Sequence, residues 1–196
     1  MANEELIEAL IDLAIEEDIA SGDISTDAII PVESKAVALM TAKADGVISG
    51  LEVIRKVYER FEDDFEWTPF VNDGDKVKKG DKILEIKAEY RTLLYGERLS
   101  LNILQRMSGI ATATARYVKE LEGFDTVILD TRKTAPGMRV LDKMAVKDGG
   151  GHNHRMGLYD MVMLKDNHIK IAGGIPNAVA AVRKNLPLSV KLEVET

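Results

Sequence analysis

The sequence predicts an α/β protein in two parts. An N-terminal α+β part occupies about residues 1–109, and the first βα units of a parallel sheet occupy 110–196. Three observations predict this. Apolar residues recur at helical spacing near the start and again over about 92–121. Between them, VNDGDKVKKGDKILEI (71–86) alternates polar and apolar residues around two glycine turns. Beyond residue 120, three short apolar runs lie about 30 residues apart with helix-compatible sequence between them, the spacing of βαβ units.

The first helix is predicted from Asn3, a capping residue, with Glu4 and Glu5 suiting its positive first turn and Leu6, Ile7, Leu10, Ile11 and Ala14 on one face. Ser21-Gly22-Asp23 breaks it. Residues 36–43 read as a strand, and Gly46 and Gly50 lead into a helix with Leu51, Ile54, Val57, Tyr58 and Phe61 at helical spacing. Residues 71–86 read as a hairpin. The helix over 92–121 is expected to break or bend near Ser108-Gly109, which also marks the boundary between the two parts; its Leu94, Leu101, Leu104 and Met107 read as core. Val127-Ile128-Leu129, Met161-Val162-Met163-Leu164 and 190–194 are the predicted parallel strands, with helices over 138–147 and 175–184.

Composition narrows the function. The chain has 196 residues and a net charge of −7, with enough apolar material for a core. Cysteine is absent, which excludes disulfides, thiolate metal sites and cysteine nucleophiles. No apolar run approaches the roughly 20 residues that span a bilayer, and the first residues carry acids where a signal peptide carries bases. A cytoplasmic protein that binds neither membrane nor nucleic acid is expected. The average charge hides a gradient: residues 1–35 hold ten acids and one base, whereas 130–155 hold six Lys/Arg and three acids, with His152 and His154 added. A basic island in an acidic chain suggests a local site for an anion.

Each predicted late strand ends in charge: Asp130-Thr131-Arg132-Lys133, then Lys165-Asp166-Asn167-His168, then Glu193 and Glu195. Parallel α/β folds place ligands at the carboxyl ends of their strands, although exposure alone makes strand ends polar. Cations from two strands and carboxylates from a third suit an anionic substrate with a divalent metal. Gly149-Gly150-Gly151, followed by His154-Arg155, lets the backbone approach a ligand closely. It is neither a Walker A loop nor a GxGxxG motif. The histidine spacing matches no common zinc site, and carboxylates such as Glu195 suit Mg²⁺ better.

DTRKTAPGMRVLDKMAVKDGGGHNHRMGLYDMVMLKDNHI (130–169) closely resembles the central motif of the quinolinate phosphoribosyltransferases. The resemblance extends back through ERLSLNILQRMSGIATAT (97–114) and on to the LEVE run, covering essentially the whole chain. Asn153-His154-Arg155 and Lys165-Asp166-Asn167-His168 resemble this enzyme rather than its molybdenum-transport-associated branch. The resemblance implies a sandwich-like N-terminal domain (1–109) and an α/β barrel, here incomplete (110–196). It also implies a reaction in which quinolinate and 5-phosphoribosyl-1-pyrophosphate give nicotinate mononucleotide, pyrophosphate and CO₂ with Mg²⁺. By the same resemblance Arg132, His154 and Arg155 hold the quinolinate carboxylates with Lys133 beside them. Lys165 lies where the two substrates meet, and Glu195 is the first of two acids near the ribose and metal. Lys133, Lys165 and Glu195 form the implied catalytic set, and Arg98 reaches the site of the neighbouring subunit in a homodimer.

The family barrel continues past the LEVE run, where the second acid and the loops that grip the 5-phosphate lie. The chain is therefore expected to carry most of the quinolinate half-site and little of the phosphoribosyl half-site, so turnover by these residues alone is not assumed. Two other readings compete. The 72–86 segment resembles the glycine-turn hairpin of biotinyl and lipoyl carrier domains, but lacks a lysine flanked by small or Met residues at its tip. An inactive paralogue acting as an assembly partner is the other; the intact cationic run counts against it.

Overall fold

In the N-terminal part the apolar faces read from the sequence pack into one core with an antiparallel sheet. A computed structural model describes residues 2–194, which divide into two compact units, Met1–Asn153 and His154–Thr196. In the first, α1 (Ala2–Asp18) buries Ile7 and Ile11. It is already helical at Ala2, so Asn3 lies inside it and is not its cap. The break at 21–23 holds as predicted, and Asp23 caps α2 (Ile24–Ile29) by accepting from the Ser25 and Thr26 N–H groups at 3.0 and 3.2 Å.

β1 (Lys35–Thr41) and β2 (Gly46–Val47) lead into α3 (Leu51–Tyr58), followed by β3 (Glu66–Pro69), β4 (Lys76–Val77) and β5 (Lys82–Glu89). The three longer strands form an antiparallel sheet in the order β1-β5-β3, with Ala38 and Trp67 both opposite Ile86. Leu84, Ile86 and Ala88 alternate along β5 toward the core, which is the two-residue period of a half-buried strand. The predicted 71–86 hairpin is corrected: β4 pairs with β2 in a separate two-stranded sheet, while β5 pairs with β1 and β3. The glycine turn between them redirects the chain instead of closing one ribbon. Both arms thus pair within the N-terminal unit, unlike the self-paired hairpin of a carrier domain.

α3 buries Leu51, Val53, Ile54, Val57 and Tyr58 against this sheet and against α4 (Tyr90–Glu120). Its first N–H groups, at Gly50 and Leu51, are satisfied by the Asp73 carboxylate at 2.8 and 2.9 Å. α4 runs unbroken through Ser108-Gly109, contrary to the expected break. One buried face, carrying Leu93, Leu99, Ile103, Leu104, Met107 and Ala111, holds the helix together across that point. At Gly96 α4 touches α3 so closely that a Cβ would lie 2.5 Å from the Tyr58 ring. Burial there pushes the Tyr58 hydroxyl up to about 12.

α5 (Arg139–Asp148) ends the unit, packing Val140, Leu141 and Ala145 into the same core. The predicted strand at 127–129 is reduced to a single bridge between Leu129 and His152, with Val127 and Leu129 more than half exposed. In the second unit β6 (Val162–Leu164) and β7 (Leu192–Val194) pair in parallel, with Met163 opposite Glu193. α6 (Asp166–Ala172) and α7 (Ile175–Asn185) connect them, giving one βααβ crossover where three βα units were expected.

Candidate active site

The basic island of the sequence falls on both units. In Met1–Asn153 the 130–134 segment is held at its two ends. At its start the Asp130 N–H donates to the His152 carbonyl (3.1 Å), and the His152 N–H donates to the Ile128 carbonyl (2.8 Å). The Asp130 carboxylate pairs with Lys143, and both side chains are buried, at 7% and 1% exposed. Asn153, with its amide turned to satisfy both partners, donates to Asp130 Oδ2 (2.8 Å) and to the Lys143 carbonyl (2.9 Å). At the far end Arg139 Nε donates to Thr134 Oγ1 at 3.2 Å. Thr131 Oγ1 closes a local turn by accepting from the Lys133 N–H at 3.1 Å.

Arg132 lies in the middle of this clamp. Its Nε is buried and has no hydrogen-bond partner among the described residues. A guanidinium N–H held from water without an acceptor is costly, and a planar carboxylate is the acceptor that fits its fork. Lys133 beside it is exposed. Arg98 lies on the exposed side of α4.

The three glycines expected to admit a ligand are each required by the fold as well. Gly150 (φ +86°) and Gly151 donate to the Lys147 and Val146 carbonyls at 2.8 and 2.9 Å, the paired bonds of a Schellman stop at the end of α5. A Cβ on Gly149 would lie 2.4 Å from the Ala111 carbonyl oxygen, and one on Gly151 would lie 2.8 Å from Val146 Cγ1. Two of the three glycines are therefore dictated by contact with neighbouring atoms, and the third by its positive φ. Next to this turn Ser49 Oγ donates to Asp148 Oδ2 at 2.5 Å, and burial raises the Asp148 carboxyl above its usual range.

In His154–Thr196 the cations sit on the parallel pair. His154 Nε2 lies 2.8 Å from Glu193 Oε2 of β7. Arg155 reaches along the start of β6, donating to the Met161 carbonyl at 3.2 Å and contacting Met163 Sδ at 3.5 Å. Lys165 is exposed at the end of β6. Its backbone N–H donates to His168 Nδ1 at 3.0 Å, so His168 serves as a cap at the start of α6. Glu193, expected with Glu195 as charge at the end of the last strand, is engaged by His154. Glu195 lies outside the described residues. No three His, Asp or Glu side chains converge as a metal cage among the described residues.

Lys143 and Asn153 are the residues that strand-end reasoning missed. The available signal was Lys143 three residues after Val140, on a face that a helix buries. A separate cavity of about 910 Å³ lies between β1 and α4, lined by Val37, Leu39, Leu94 and Leu101 with Glu97 and Arg116. None of the predicted binding residues lines it.

An antiparallel sheet followed by the parallel β6–β7 pair and its α6–α7 crossover defines a two-part α/β protein. The chain belongs to the quinolinate phosphoribosyl transferase family. The family's N-terminal domain matches residues 23–108 and its C-terminal domain matches 110–196. It is 43% identical over 194 residues to "Quinolinate phosphoribosyltransferase [decarboxylating] 2a, mitochondrial" of Nicotiana tabacum, covering 97% of this chain and 55% of that protein. It is also 43% identical to "Nicotinate-nucleotide pyrophosphorylase [carboxylating], chloroplastic" of Arabidopsis thaliana, covering 97% and 56%. The crystal structure of NadC from Streptococcus pyogenes superimposes with a TM-score of 0.93 at 41% identity, covering 97% of this chain and 67% of that one. The chain thus spans about half the length of the curated relatives it matches, and comprises the family's N-terminal domain with part of the C-terminal domain.

Proposed function

We propose that this protein transfers phosphoribose from 5-phosphoribosyl-1-pyrophosphate to quinolinate with decarboxylation, giving nicotinate mononucleotide, pyrophosphate and CO₂ for NAD biosynthesis. The observation that carries the reading is Arg132, a buried guanidinium N–H without an acceptor among the described residues, in a segment fixed at both ends. The names of the relatives supply the acceptor, a pyridine dicarboxylate.

Quinolinate is a dianion at neutral pH and must bind beside another polyanion, so a preorganised set of cations is required. Arg132, Lys133, His154 and Arg155 supply it in this reading. The ring nitrogen forms a bond to the ribose carbon as the bond to pyrophosphate breaks. The C–CO₂ bond then breaks, its electron pair stays on the ring carbon, and a proton replaces CO₂ there. Lys133 and Lys165 are the ammonium groups assigned to stabilise that charge and provide the proton. Glu195 faces the ribose and the metal in the same reading.

Mg²⁺ would neutralise the leaving pyrophosphate. It commonly binds through one or two carboxylates together with substrate phosphates. The described residues form no cage of their own, so the assignment rests on Glu195 and the substrate's oxygens. A homodimer with Arg98 serving the neighbouring site, and a cytoplasmic location, complete the proposal. No helix among the described residues is long and apolar enough to cross a membrane.

The test is calorimetric titration of the chain with quinolinate, followed by assay of nicotinate mononucleotide with phosphoribosyl pyrophosphate and Mg²⁺. Quinolinate binding should weaken by roughly tenfold to a hundredfold in Arg132→Ala, as expected for a lost charged hydrogen bond of about 1.5–3 kcal/mol. A chain that binds no quinolinate overturns the reading.

A further inference from the structure

The cluster that the proposed chemistry does not use is the buried trio of Asp130, Lys143 and Asn153. We infer that Lys143 is a positioning residue for the reaction: from α5 its ammonium holds Asp130 and so fixes the backbone that presents Arg132. The inference rests on the quinolinate reading, because only there does the placement of Arg132 matter to turnover.

A lysine at 1% exposure, between Leu141 and Ala145 on the core face of α5, takes a position an apolar residue would fill at less cost. Stability alone is a weak reason for a buried ion pair, since an apolar pair of similar volume does as well or better. What the pair does supply is direction. Asp130 receives the Lys143 ammonium on Oδ1 and the Asn153 amide on Oδ2, so its carboxylate plane is defined from two sides. Its backbone N–H is anchored to His152. The next residue but one is Arg132, which makes no anchoring bond through its own Nε. Its aim is therefore inherited from Asp130 on one side and from the Thr134–Arg139 contact on the other. The same Asn153 also binds the Lys143 carbonyl, so one amide ties α5 to the Asp130 end of the clamp.

The experiment follows Arg132 itself. Nitrogen-15 relaxation of the Arg132 Nε–H, assigned by its loss in Arg132→Lys, is measured in the ligand-free chain, and quinolinate affinity is measured by calorimetry. Three chains are compared: the unaltered protein, Lys143→Met combined with Asp130→Asn, and Asn153→Ala. The double substitution removes both charges together, so no unpaired carboxylate is left buried. Asn153→Ala retains the ion pair and guards against a double variant that fails to fold.

In the unaltered chain the Nε–H is expected to be ordered. In either folded variant it should become mobile on the nanosecond scale, with quinolinate affinity reduced about tenfold to a hundredfold, the penalty for a misplaced binding group. A folded variant with an equally ordered Nε–H and unchanged affinity overturns the inference. An unaltered chain that binds no quinolinate, with the Nε–H still loosened in the variants, overturns the function while leaving the positioning role in place.

Discussion

Gly149 and Gly150 are neighbours with opposite reasons for being glycine, and substitution separates them. Gly149 has an ordinary backbone (φ −78°), but its Cβ would strike the Ala111 carbonyl oxygen, a backbone atom that cannot swing aside. Gly149→Ala should therefore force α4 and α5 apart, at about 1–3 kcal/mol or more. Gly150 has φ +86° and open contact distances, its nearest neighbour being Val118 at 3.6 Å. Gly150→Ala should incur only the left-handed penalty of about 1–2 kcal/mol, and Gly150→Asn less. Urea unfolding of the three variants checks the order; equal losses at 149 and 150 would show that the α4 contact is not the constraint. Asp148, one residue earlier, carries a second prediction. Its carboxyl is raised in the folded state by burial and by nearby Asp73, with the Ser49 hydroxyl opposing the shift. A raised carboxyl favours the folded state when protonated, and that benefit is lost as pH rises through the folded value. Asp148→Asn should thus raise the melting temperature at pH 7 and have little effect near pH 3, with its amide oxygen still accepting from Ser49.

Between elements, the tie of α1 to α3 shows how charge supplements a narrow apolar contact. Ile7 and Ile11 are the fully buried side chains of α1. Flanking them, Glu8 receives Lys56 at 2.9 Å and also pairs with Arg60, while Lys56 reaches Glu4 (2.6 Å) and Arg60 reaches Asp12 (2.8 Å). The hydrogen bond from Lys56, then that from Arg60, holds the Glu8 carboxyl below its usual value. A depressed carboxyl stabilises the fold above its unfolded value, and the contribution disappears as pH falls through the folded one. Hydrogen-exchange protection of α1 should therefore fall below about pH 4.5, the ordinary range of a glutamate. Glu8→Gln should reproduce the loss at pH 7, at about 0.5–1 kcal/mol because these groups are partly solvated. An α1 whose protection is the same at pH 3 and pH 7 would leave the docking to Ile7 and Ile11 alone. The elements themselves were legible wherever an apolar period had a face to bury, as in α1, α3, α4 and α5. Residues 127–129 misled because an apolar run predicts a strand only if neighbours pair with it, and here one bridge to His152 is formed. The 71–86 segment misled because alternation shows that two arms are strands, not which partners they choose. Of the cations predicted at strand ends, Lys165 follows β6, whereas Arg132 and Lys133 follow a lone bridge and His154 and Arg155 precede β6. Lys143 and Asn153 were not legible, because a buried ion pair leaves no mark in sequence beyond a lysine in an apolar register.

At the scale of the molecule, burial is shared unequally between the two units, and this sets which parts should open first. The first unit buries α3, α4 and β5 side chains down to zero exposure, including Ile54, Val57, Leu84, Ile86 and Met107. Among the described residues of the second unit the buried apolar side chains are Leu164 and Ala178, at 6% and 3%, while Tyr159, Ile171 and Leu188 are each at least 80% exposed. A parallel pair of three-residue strands with two short helices is held by backbone bonds that water can reach, and such regions open at low free energy. The cations of the proposed site straddle this difference in sequence: Arg132 and Lys133 belong to the well-buried unit, and His154, Arg155 and Lys165 to the sparsely buried one. Native-state hydrogen exchange should find amides of β6 and α7 exchanging at least about a hundredfold faster than those of α3 and central α4, a difference of about 2.7 kcal/mol in opening free energy. If His154, Arg155 and Lys165 contact quinolinate, saturating ligand should slow exchange in β6, because binding stabilises only the states that retain those contacts. Uniform slowing across both units would instead mean that the chain opens only as a whole, and equal exchange before ligand is added would mean that the buried side chains do not rank its stability.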